Sequence, residues 1–553
     1  MRTLFRSWRG RVAAPLSIVM VAFVAAAAAG SAGASSAHAK GHRGGTLTMV
    51  VGTNPTSLEY DTSGGVASDS TIQGMIQEML FNLSGKTQLI PELATGYHVS
   101  KNGLTYKISL RHGVKWSDGV PVTSKDAVFT LTKVLPVDPV FSTTLKGAIT
   151  SVTADGPYAL TIKLKEPFSP LLTALSASVL FVEPAHQYGS QTPVKDTYAN
   201  NHPLSDGPFM LKKWIPDDKL ILVRNPHFWQ ATKAKPVPWF NKVVVDVITS
   251  PQTVVDDMLS GAVDYVPTSF LPTPAIKTLA HAACCRVVHI HDQPSYNIMY
   301  MNTTRPPFNN VTVRRAVLMA ITRALIVKDA DTGHARPAKA NIPATFSKLY
   351  TPEVNLLKEY PYSPSKAAKL LDKAGFPVRN GERFGKAITL LYSTFTGTFA
   401  NREASIIKAQ LAKVTINVHL VSEDAQAELT DMFVKKNYTL SFINSLSGSD
   451  PAQGIVIDFQ CEPNPTPVYT NATGFCTRHV TSLFHHAAVA TSTASRQHFY
   501  AKAQKILDRM VPAVMLYWRE TYVAISKRIE NWKPSLLTTG GSFWTTWSQS
   551  WLK

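Results

Sequence analysis

The segment LRHGVKWSDGVPVTSKDAVFTL, residues 110–131, is the most informative stretch of this 553-residue chain. The residues before it alternate between apolar and polar, which predicts a half-buried strand ending at Leu110. The triplet SDG predicts a turn in which Gly119 supplies a positive φ. Thr123 stands three residues before Asp126, which is the spacing of a capping box at the start of a helix. The segment therefore predicts a strand, a turn and a helix, and none of its residues needs to be a catalyst.

Strand and helix patterns are mixed along the rest of the chain. FMLKKWIPDDKLILVRN predicts a hairpin with the turn PDD. Ser250 predicts a helix cap, with Pro251 at the first helical position and Gly261 at the end. Further helices are predicted at Val311–Val327, Ser363–Ala374, Glu403–Ala412 and Arg496–Met510. Because strands and helices mix without a short repeat or a long low-complexity linker, the sequence predicts an interwoven α/β protein. Its length suggests two to three domains or lobes.

The N-terminal segment, residues 1–39, has the pattern of a secretory signal peptide. It carries four arginines and no acid, then a long apolar run, and it ends in Ala37-His38-Ala39. This pattern predicts cleavage after Ala39 and an extracytoplasmic location. The alternative is that the apolar run is kept as a membrane anchor. The first cysteine is Cys284, so the sequence predicts a protein that is not a lipoprotein.

The charge balance is basic, with a formal net charge of +19 that would fall to +15 without the four arginines of the signal. The lysines and arginines are scattered, and neither a dense basic block nor an RNA-binding aromatic motif occurs. Binding to nucleic acid is therefore not expected. Adaptation to the extracytoplasmic medium or to an anionic envelope is a simpler explanation of the positive net charge than nucleic-acid binding.

Four cysteines allow three disulfide connectivities, and the sequence alone does not choose among them. Cys461 and Cys476 flank a loop rich in Pro, Asn and Thr, which favours a disulfide between them. Such a bridge would close a loop of about 15 residues and contribute about 3 kcal/mol of stability in the chain-entropy model. Cys284 and Cys285 are adjacent, and their pairing stays open.

Sequence motifs for catalysis or metal binding are weak. The tetrapeptide SGKT at 84–87 resembles a phosphate-binding loop, but Leu80 stands where that motif requires glycine. His289 and His291 lie two residues apart, on the same face of a predicted strand. They could share a metal with the two adjacent cysteines, Cys284 and Cys285. Two surface histidines are the simpler interpretation. No GxSxG, HExxH or CxxC motif occurs, so no cofactor, no metal and no enzymatic activity are expected.

The opening segment resembles a hallmark of the bacterial extracellular solute-binding proteins of family 5, the oligopeptide- and dipeptide-binding receptors of ABC importers. The matching positions are Leu110, Arg111, Gly113, Val114, Asp118, Gly119, Pro121, Thr123 and Asp126. Trp116 replaces the usual Phe and Ala127 the usual Val. Four more segments resemble the family in its order: LIPELATGYHVSKNGLTYKISL, the SDGPF hairpin, YNIMYMNTTRPPFNNVTVRRAVLMAITR and YSPSKAAKLLDKAGF. The likeness covers essentially residues 45–530.

This resemblance implies an α/β fold of the periplasmic-binding-protein type (type II, large cluster C form), in which two lobes close over a ligand. A small domain would be inserted in the first lobe, and the opening segment would belong to its scaffold. The implied division is 45–85 and 204–296 for the first two parts of lobe I, 86–203 for the small domain, 297–515 for lobe II and 516–553 for the C-terminal part of lobe I. The hinge strands are expected near Tyr296–Asn302 and Met515–Thr521.

The resemblance also implies a function. A monomeric receptor would capture a peptide or another small polar solute and deliver it to ABC permease subunits at the membrane. A secreted hydrolase or metal-dependent enzyme on the same scaffold, or an envelope binding protein without a transport role, are the alternatives. The sequence does not separate a peptide from a sugar, an opine, a metal chelate or haem.

One position departs from the peptide-binding pattern. In peptide-binding members, an Asp pairs with the peptide's α-amino group. This Asp lies three residues before an acidic residue that is followed by Pro. Here the landmark is Asp450-Pro451, and Ser447 stands in the place of that Asp. A hydroxyl cannot compensate a buried ammonium. The pocket is therefore not expected to depend on a free amine, unless the loop is shifted in register or another acid takes this role. The residues expected to contact ligand are Ser68, Asp69, Ile72, Asn444, Ser445, Ser447 and Asp450.

Overall fold

The structure is a computed structural model. The residues that it describes are 42–55, 57–59, 67–83, 89–137, 145, 147–177, 180–191, 197–233, 237–330, 333–343, 346, 349–350, 354–393, 398–448, 450–461, 470–532, 547 and 550–553. The expected signal peptide and the SGKT segment lie outside this set. The chain from residue 41 onward forms one compact unit.

Strands and helices are interspersed through the described residues. The strands are β1 (Thr46–Val51), β2 (Phe81–Leu83), β3 (Leu89–Pro91), β4 (Ala94–Val99), β5 (Thr105–Leu110), β6 (Ile149–Ala154), β7 (Ala159–Leu164), β8 (Phe209–Ile215), β9 (Lys219–Arg224), β10 (Lys242–Val247), β11 (Tyr265–Val266), β12 (Cys285–Met301), β13 (Ala335–Pro337), β14 (Ile388–Ser393), β15 (Val418–Glu423), β16 (Leu440–Leu446), β17 (Ala513–Ser526), β18 (Ile529–Glu530) and β19 (Trp551–Leu552). The helices are α1 (Ala67–Ile76), α2 (Ser124–Phe129), α3 (Leu171–Ala177), α4 (Ala185–Tyr188), α5 (Thr197–Asn201), α6 (Pro251–Ser260), α7 (Ile276–His281), α8 (Val311–Ala320), α9 (Arg323–Asp329), α10 (Leu356–Glu359), α11 (Pro364–Lys373), α12 (Thr398–Ala412), α13 (Ala425–Leu429), α14 (Arg478–Val489) and α15 (Thr493–Met510). None of the helices in the described ranges is long and apolar enough to cross a membrane.

The largest sheet has eleven strands in the order β15-β14-β16-β12-β17-β11-β1-β10-β9-β8, with β13 also paired to β17. A separate four-stranded sheet has the order β4-β5-β7-β6. One hydrophobic core lies between Leu80 and Ala199, around the four-stranded sheet. Two more contain residues between Tyr296 and Trp518. The remaining two combine residues from 47–76, 209–290 and 523–547. The molecule is therefore a two-lobed α/β protein of the periplasmic-binding-protein type with a small inserted domain, and the residue-level boundaries stay a prediction.

Two long strands, β12 and β17, belong to both lobes. The second half of β12, Ser295–Met301, pairs with β16 on one side and with β17 on the other. Its first half, Cys285–Ile290, pairs with the part of β17 that also binds β11. The β12–β17 register shifts between Ile290 and Ser295. The change of partners from β11 to β16 falls at this shift, next to the expected hinge strand Tyr296–Asn302 and within the expected Met515–Thr521, since Ile290 pairs with Thr521 and Ser295 with Arg519. The position of the hinge stays a prediction.

Local sequence signals account for most helix ends. The capping box is confirmed, because Asp126 Oδ2 accepts from the Thr123 backbone N–H at 2.7 Å and the Thr123 hydroxyl caps the helix in return. The α6 cap at Ser250 and its left-handed end at Gly261 are also confirmed. The single helix predicted over 311–327 is wrong. The backbone is extended at Ile321, so the segment forms α8 and α9 instead.

The opening segment packs into the small domain, as the resemblance implied. Trp116 and Val114 are buried in the core around the four-stranded sheet, and the turn glycine, Gly119, has φ 93°. The segment's role is to join β5 to α2, and it lies in a different core from the end of β16.

The glycine of the SDGPF hairpin lies against the end of α1. The backbone N–H of Gly207 donates to Ile76 O at 2.9 Å. A Cβ at Gly207 would lie 2.7 Å from that oxygen and 2.8 Å from the Ile76 carbonyl carbon. Both are backbone atoms, so they cannot rotate away. This close approach explains why glycine stands at this position of the hairpin.

Gly207→Ala should therefore destabilise the protein by about 1–3 kcal/mol or more, the usual cost of forcing an extra carbon into a packed site. Gly96→Ala is the matched control, because a Cβ at Gly96 meets no atom within 4 Å. Urea unfolding of the two variants measures the difference. Equal unfolding midpoints would show that the hairpin can move away from α1 at no cost.

Candidate functional site

The candidate site lies at one edge of the lobe II sheet. β14 runs parallel to both β15 and β16, so their carboxyl ends meet at the same edge. In open α/β sheets, ligands bind outside the carboxyl ends of the parallel strands. The lobe II halves of β12 and β17 reach this edge near Tyr296 and Trp518, which are paired with each other. This edge therefore faces the junction with lobe I.

The end of β16 has a strand partner on one side only. β12 pairs with all seven residues of β16. β14 pairs only through Leu390–Leu440 and Leu391–Ser441. Within the described part of the chain, residues 442–446 consequently lack a strand on the β14 side. Such an edge offers backbone N–H and C=O groups to an extended ligand.

Asn444 and Ser445 lie on this half-paired end. They are consecutive, so their side chains project to opposite faces of the sheet. Both are half-buried. The Asn444 Oδ1 atom accepts from Asn297 Nδ2 at 3.2 Å. Ser445 is paired with Tyr296 across the strands, and its hydroxyl interacts with the Tyr296 phenol.

A buried carboxylate lies on the Asn444 face. Glu403 of α12 is 2% exposed. Its Oε2 atom accepts from Asn297 Nδ2 at 3.2 Å and from the Tyr517 hydroxyl at 3.0 Å. Tyr517 is in turn paired with Asn297 across β12 and β17. One row of side chains thus runs across three strands under Glu403.

A second buried carboxylate lies on the Ser445 face. Asp458 Oδ2 accepts from the Tyr296 hydroxyl at 3.1 Å, and Oδ1 accepts from the Tyr300 hydroxyl at 2.6 Å. Burial raises the pKa of Asp458 to about 7, although both tyrosine hydrogen bonds act to lower it. No cation in the described residues pairs with it.

The loop after β16 holds Ser447 and Asp450. The Ser447 hydroxyl is buried and donates to Gln453 O at 3.5 Å. Asp450 forms an ion pair with Arg496 of α15 at 2.8 Å and accepts from the Ala452 backbone N–H at 3.0 Å. The negative charge of Asp450 is therefore compensated within lobe II.

The lobe I residues Ser68, Asp69 and Ile72 all lie in α1 and are fully buried. The Ser68 hydroxyl is 2.7 Å from that of Thr53, just after β1. Ile72 packs in the core of lobe I. The structure thus brings Asn444 and Ser445 together at an edge, whereas Ile72 faces a core. The ligand roles of these lobe I residues stay predictions.

The cysteines and histidines have separate environments. Cys461 and Cys476 form a disulfide. Cys284 and Cys285 carry free thiols, with their Sγ atoms 3.3 Å apart. His289 lies 3.7 Å from a Glu520 oxygen, and the side chain of residue 291 lies outside the described set. The described residues contain no group of three or more His, Cys, Asp or Glu side chains that could hold a metal ion.

Sequence reasoning missed the residues that support this edge from behind. Asn297, Glu403, Tyr517 and Asp458 were not singled out. Glu403 had one detectable signal, because it is an acid placed beside the apolar stripe of a predicted helix. Nothing local connected it to Asn297, which is 106 positions away.

The raised pKa of Asp458 predicts a pH effect on stability. A carboxyl whose folded pKa lies above its ordinary value of 3.8 binds a proton on folding. Its contribution is complete below the ordinary pKa and is lost as the pH rises through about 7. The thermal midpoint of the wild type should therefore fall relative to that of Asp458→Asn between pH 4 and pH 7. Parallel curves for the two proteins would contradict this.

Comparison with known proteins gives a consistent result. The sequence profile described as "Bacterial extracellular solute-binding proteins, family 5 Middle" matches residues 88–464. The glutathione-binding protein GsiB of Escherichia coli O6:K15:H31 is 26% identical over 493 residues, which cover 87% of this chain and 91% of GsiB.

Solved structures share the fold. DppA from Helicobacter pylori, in complex with the peptide STSA, superposes with a TM-score of 0.78 at 22% identity, covering 92% of this chain and 98% of DppA. AgaA from A. tumefaciens R10, in complex with agropinic acid, has the same TM-score and identity and covers 92% and 99% of the two chains. The chain belongs to family 5 of the bacterial extracellular solute-binding proteins.

Proposed function

We propose that this protein is the extracytoplasmic receptor of an ABC importer, which captures a peptide or similar polar solute between its lobes and delivers it to a membrane permease. The observation that supports this most directly is the half-paired end of β16, residues 442–446, at the ligand edge of lobe II. An extended ligand can add to such an edge as a further strand, with its side chains alternating between the two faces. Family membership supports the transport role.

Capture would work by closure of the lobes. They are joined through β12 and β17, whose pairing shifts between Ile290 and Ser295. Hinge closure around a ligand requires only a few residues to change their backbone angles. No covalent step is needed, so the protein binds and releases its solute unchanged.

The location and state of the protein follow from the same proposal. Export would use residues 1–39 as a signal cleaved after Ala39, without lipid attachment, and the receptor would act as a monomer. An envelope binding protein without a transport role would not co-purify with permease subunits, and a hydrolase would turn over its ligand.

The solute itself is expected to be polar and not to depend on a free amine. Ser447 occupies the place of the family's amine-binding Asp. Asp450, the nearest acid in the loop, is already paired with Arg496. The half-buried groups that remain at the edge, Asn444 and Ser445, are neutral.

Native mass spectrometry of the purified full-length protein tests the proposed function. The expected result is a bound polar solute that is released on partial unfolding and rebinds at one site per chain. Reduced glutathione and N-acetyl-tri-alanine serve as defined probes in calorimetry. A protein that retains no solute and binds neither peptide probe would contradict the peptide-like ligand class.

Ser447→Asp tests the ligand charge. A carboxylate placed at this buried position lacks a partner unless the solute brings a cation. The variant should therefore bind N-acetyl-tri-alanine roughly tenfold or more weakly than the wild type, a loss of about 1.4–3 kcal/mol. Ser365→Asp, an exposed position at the start of α11, is the control for an added charge. If the wild type binds only free-amine tri-alanine, an amine partner exists elsewhere and this interpretation of Ser447 is wrong.

A further inference from the structure

Three side chains form a continuous row across the lobe II sheet beneath α12. Asn444 on β16 is paired with Asn297 on β12, and Asn297 is paired with Tyr517 on β17. Glu403 lies over the row and is almost fully buried. The hydrogen bonds of this row determine which atom of each amide faces which neighbour.

The carboxylate sets the orientation of the first amide. Glu403 Oε2 accepts from both Asn297 Nδ2, at 3.2 Å, and the Tyr517 hydroxyl, at 3.0 Å. A carboxylate oxygen accepts hydrogen bonds and cannot donate one. Asn297 must therefore turn its NH₂ group, not its oxygen, toward Glu403.

The first amide then sets the orientation of the second. An NH₂ group has two N–H donors. Asn297 Nδ2 uses one for Glu403 and directs the other to Asn444 Oδ1, at 3.2 Å. The side-chain oxygen of Asn444 is thereby occupied. Its Nδ2 group has no hydrogen-bond partner among the described residues and lies at the half-paired end of β16.

We propose that Glu403, acting through Asn297, fixes Asn444 as a hydrogen-bond donor at the edge of β16 and so selects solutes that place an acceptor there. This proposal rests on the proposed solute-binding function and narrows its ligand class. The acceptor is a carbonyl or carboxylate oxygen of the solute. Glu403 and Asn297 are positioning residues, and Asn444 is the residue that contacts the solute.

The selection has a physical basis in both directions. A solute with an oxygen beside Asn444 completes the hydrogen bonds of its NH₂ group. A solute with a cation or an N–H donor there meets a second donor, and Asn444 cannot rotate without breaking its bond to Asn297. Sites built to hydrogen-bond one group reject an analogue that lacks it far more strongly than apolar pockets do.

Neutron crystallography of the perdeuterated protein tests the orientation without any solute. The expected result is two deuterium atoms on Asn297 Nδ2, one directed at Glu403 and the other at Asn444 Oδ1. The Asn444 ND₂ group should be turned away from Asn297. Glu403→Met removes the acceptor and should randomise the Asn297 amide. Glu403→Gln restores an acceptor oxygen but can also donate, so it should restore the wild-type orientation only in part. An Asn444 ND₂ group directed at Asn297 in the wild type would overturn the proposal.

Calorimetry with N-acetyl-tri-alanine tests the selection. Both ends of this probe, the acetyl carbonyl and the C-terminal carboxylate, are hydrogen-bond acceptors, and its donors are the amide N–H groups. Asn444→Asp replaces the donor by a charged acceptor and should weaken binding roughly tenfold or more. Asn310→Asp is the control, because Asn310 caps α8 through its oxygen and Asp caps equally well. Glu403→Met should weaken binding at unchanged stoichiometry, and Glu403→Gln, which can either accept or donate, should recover only part of the loss.

The neutron and calorimetry results distinguish failure of the proposed solute-binding function from failure of the proposed donor role of Asn444. If the wild type binds no peptide probe but the neutron map shows the expected orientation, the peptide ligand class fails and the donor assignment stands. If the wild type binds N-acetyl-tri-alanine and Asn444→Asp binds it equally well, the assignment of Asn444 is wrong and solute binding stands.

Discussion

The antiparallel pairing of β12 with β17 is the interaction on which the rest of the molecule depends. These strands, of 17 and 14 residues, are continuous through both lobes. On one side of the shift between Ile290 and Ser295, β17 pairs with β11 of lobe I. On the other side, β12 pairs with β16 of lobe II. A second shift lies between Asn297 and Ile298, inside the part of β12 that also pairs with β16. Because the change of partners falls at the first shift, rotation of the lobes there would break few ladder hydrogen bonds.

Buried carboxyls bond to the strands at the carboxyl edge of the lobe II sheet. Glu403 accepts hydrogen bonds from Asn297 and Tyr517 under α12. On the opposite face of the sheet, Asp458 accepts hydrogen bonds from Tyr296 and Tyr300. Glu428 accepts from the backbone N–H of Ser393, at the end of β14, and burial raises the pKa of Glu428 to about 8. Buried polar groups of this kind add little net stability, because their desolvation offsets their hydrogen bonds. Here they bond to β12, β14 and β17 at the edge where the proposed solute would bind.

The sequence predicted the local structure well and the support of the site poorly, for a physical reason. Caps and turns such as Thr123 with Asp126, or Ser250 with Gly261, are decided by residues within one or two turns, so they were predicted correctly. The break at Ile321 was missed because the apolar periodicity continues through it. Glu403 and Asn297 come together only after the chain has folded, so no spacing rule could have connected them.

The central claim is that the lobes close on a solute by rotation about the β12–β17 crossover. Small-angle X-ray scattering of the solute-free protein, before and after saturation with N-acetyl-tri-alanine or the solute released from the purified protein, measures this most directly. The account predicts a smaller radius of gyration and a shorter maximum dimension in the saturated sample, with unchanged mass. Superimposable profiles at a solute concentration that calorimetry shows to be saturating would contradict it.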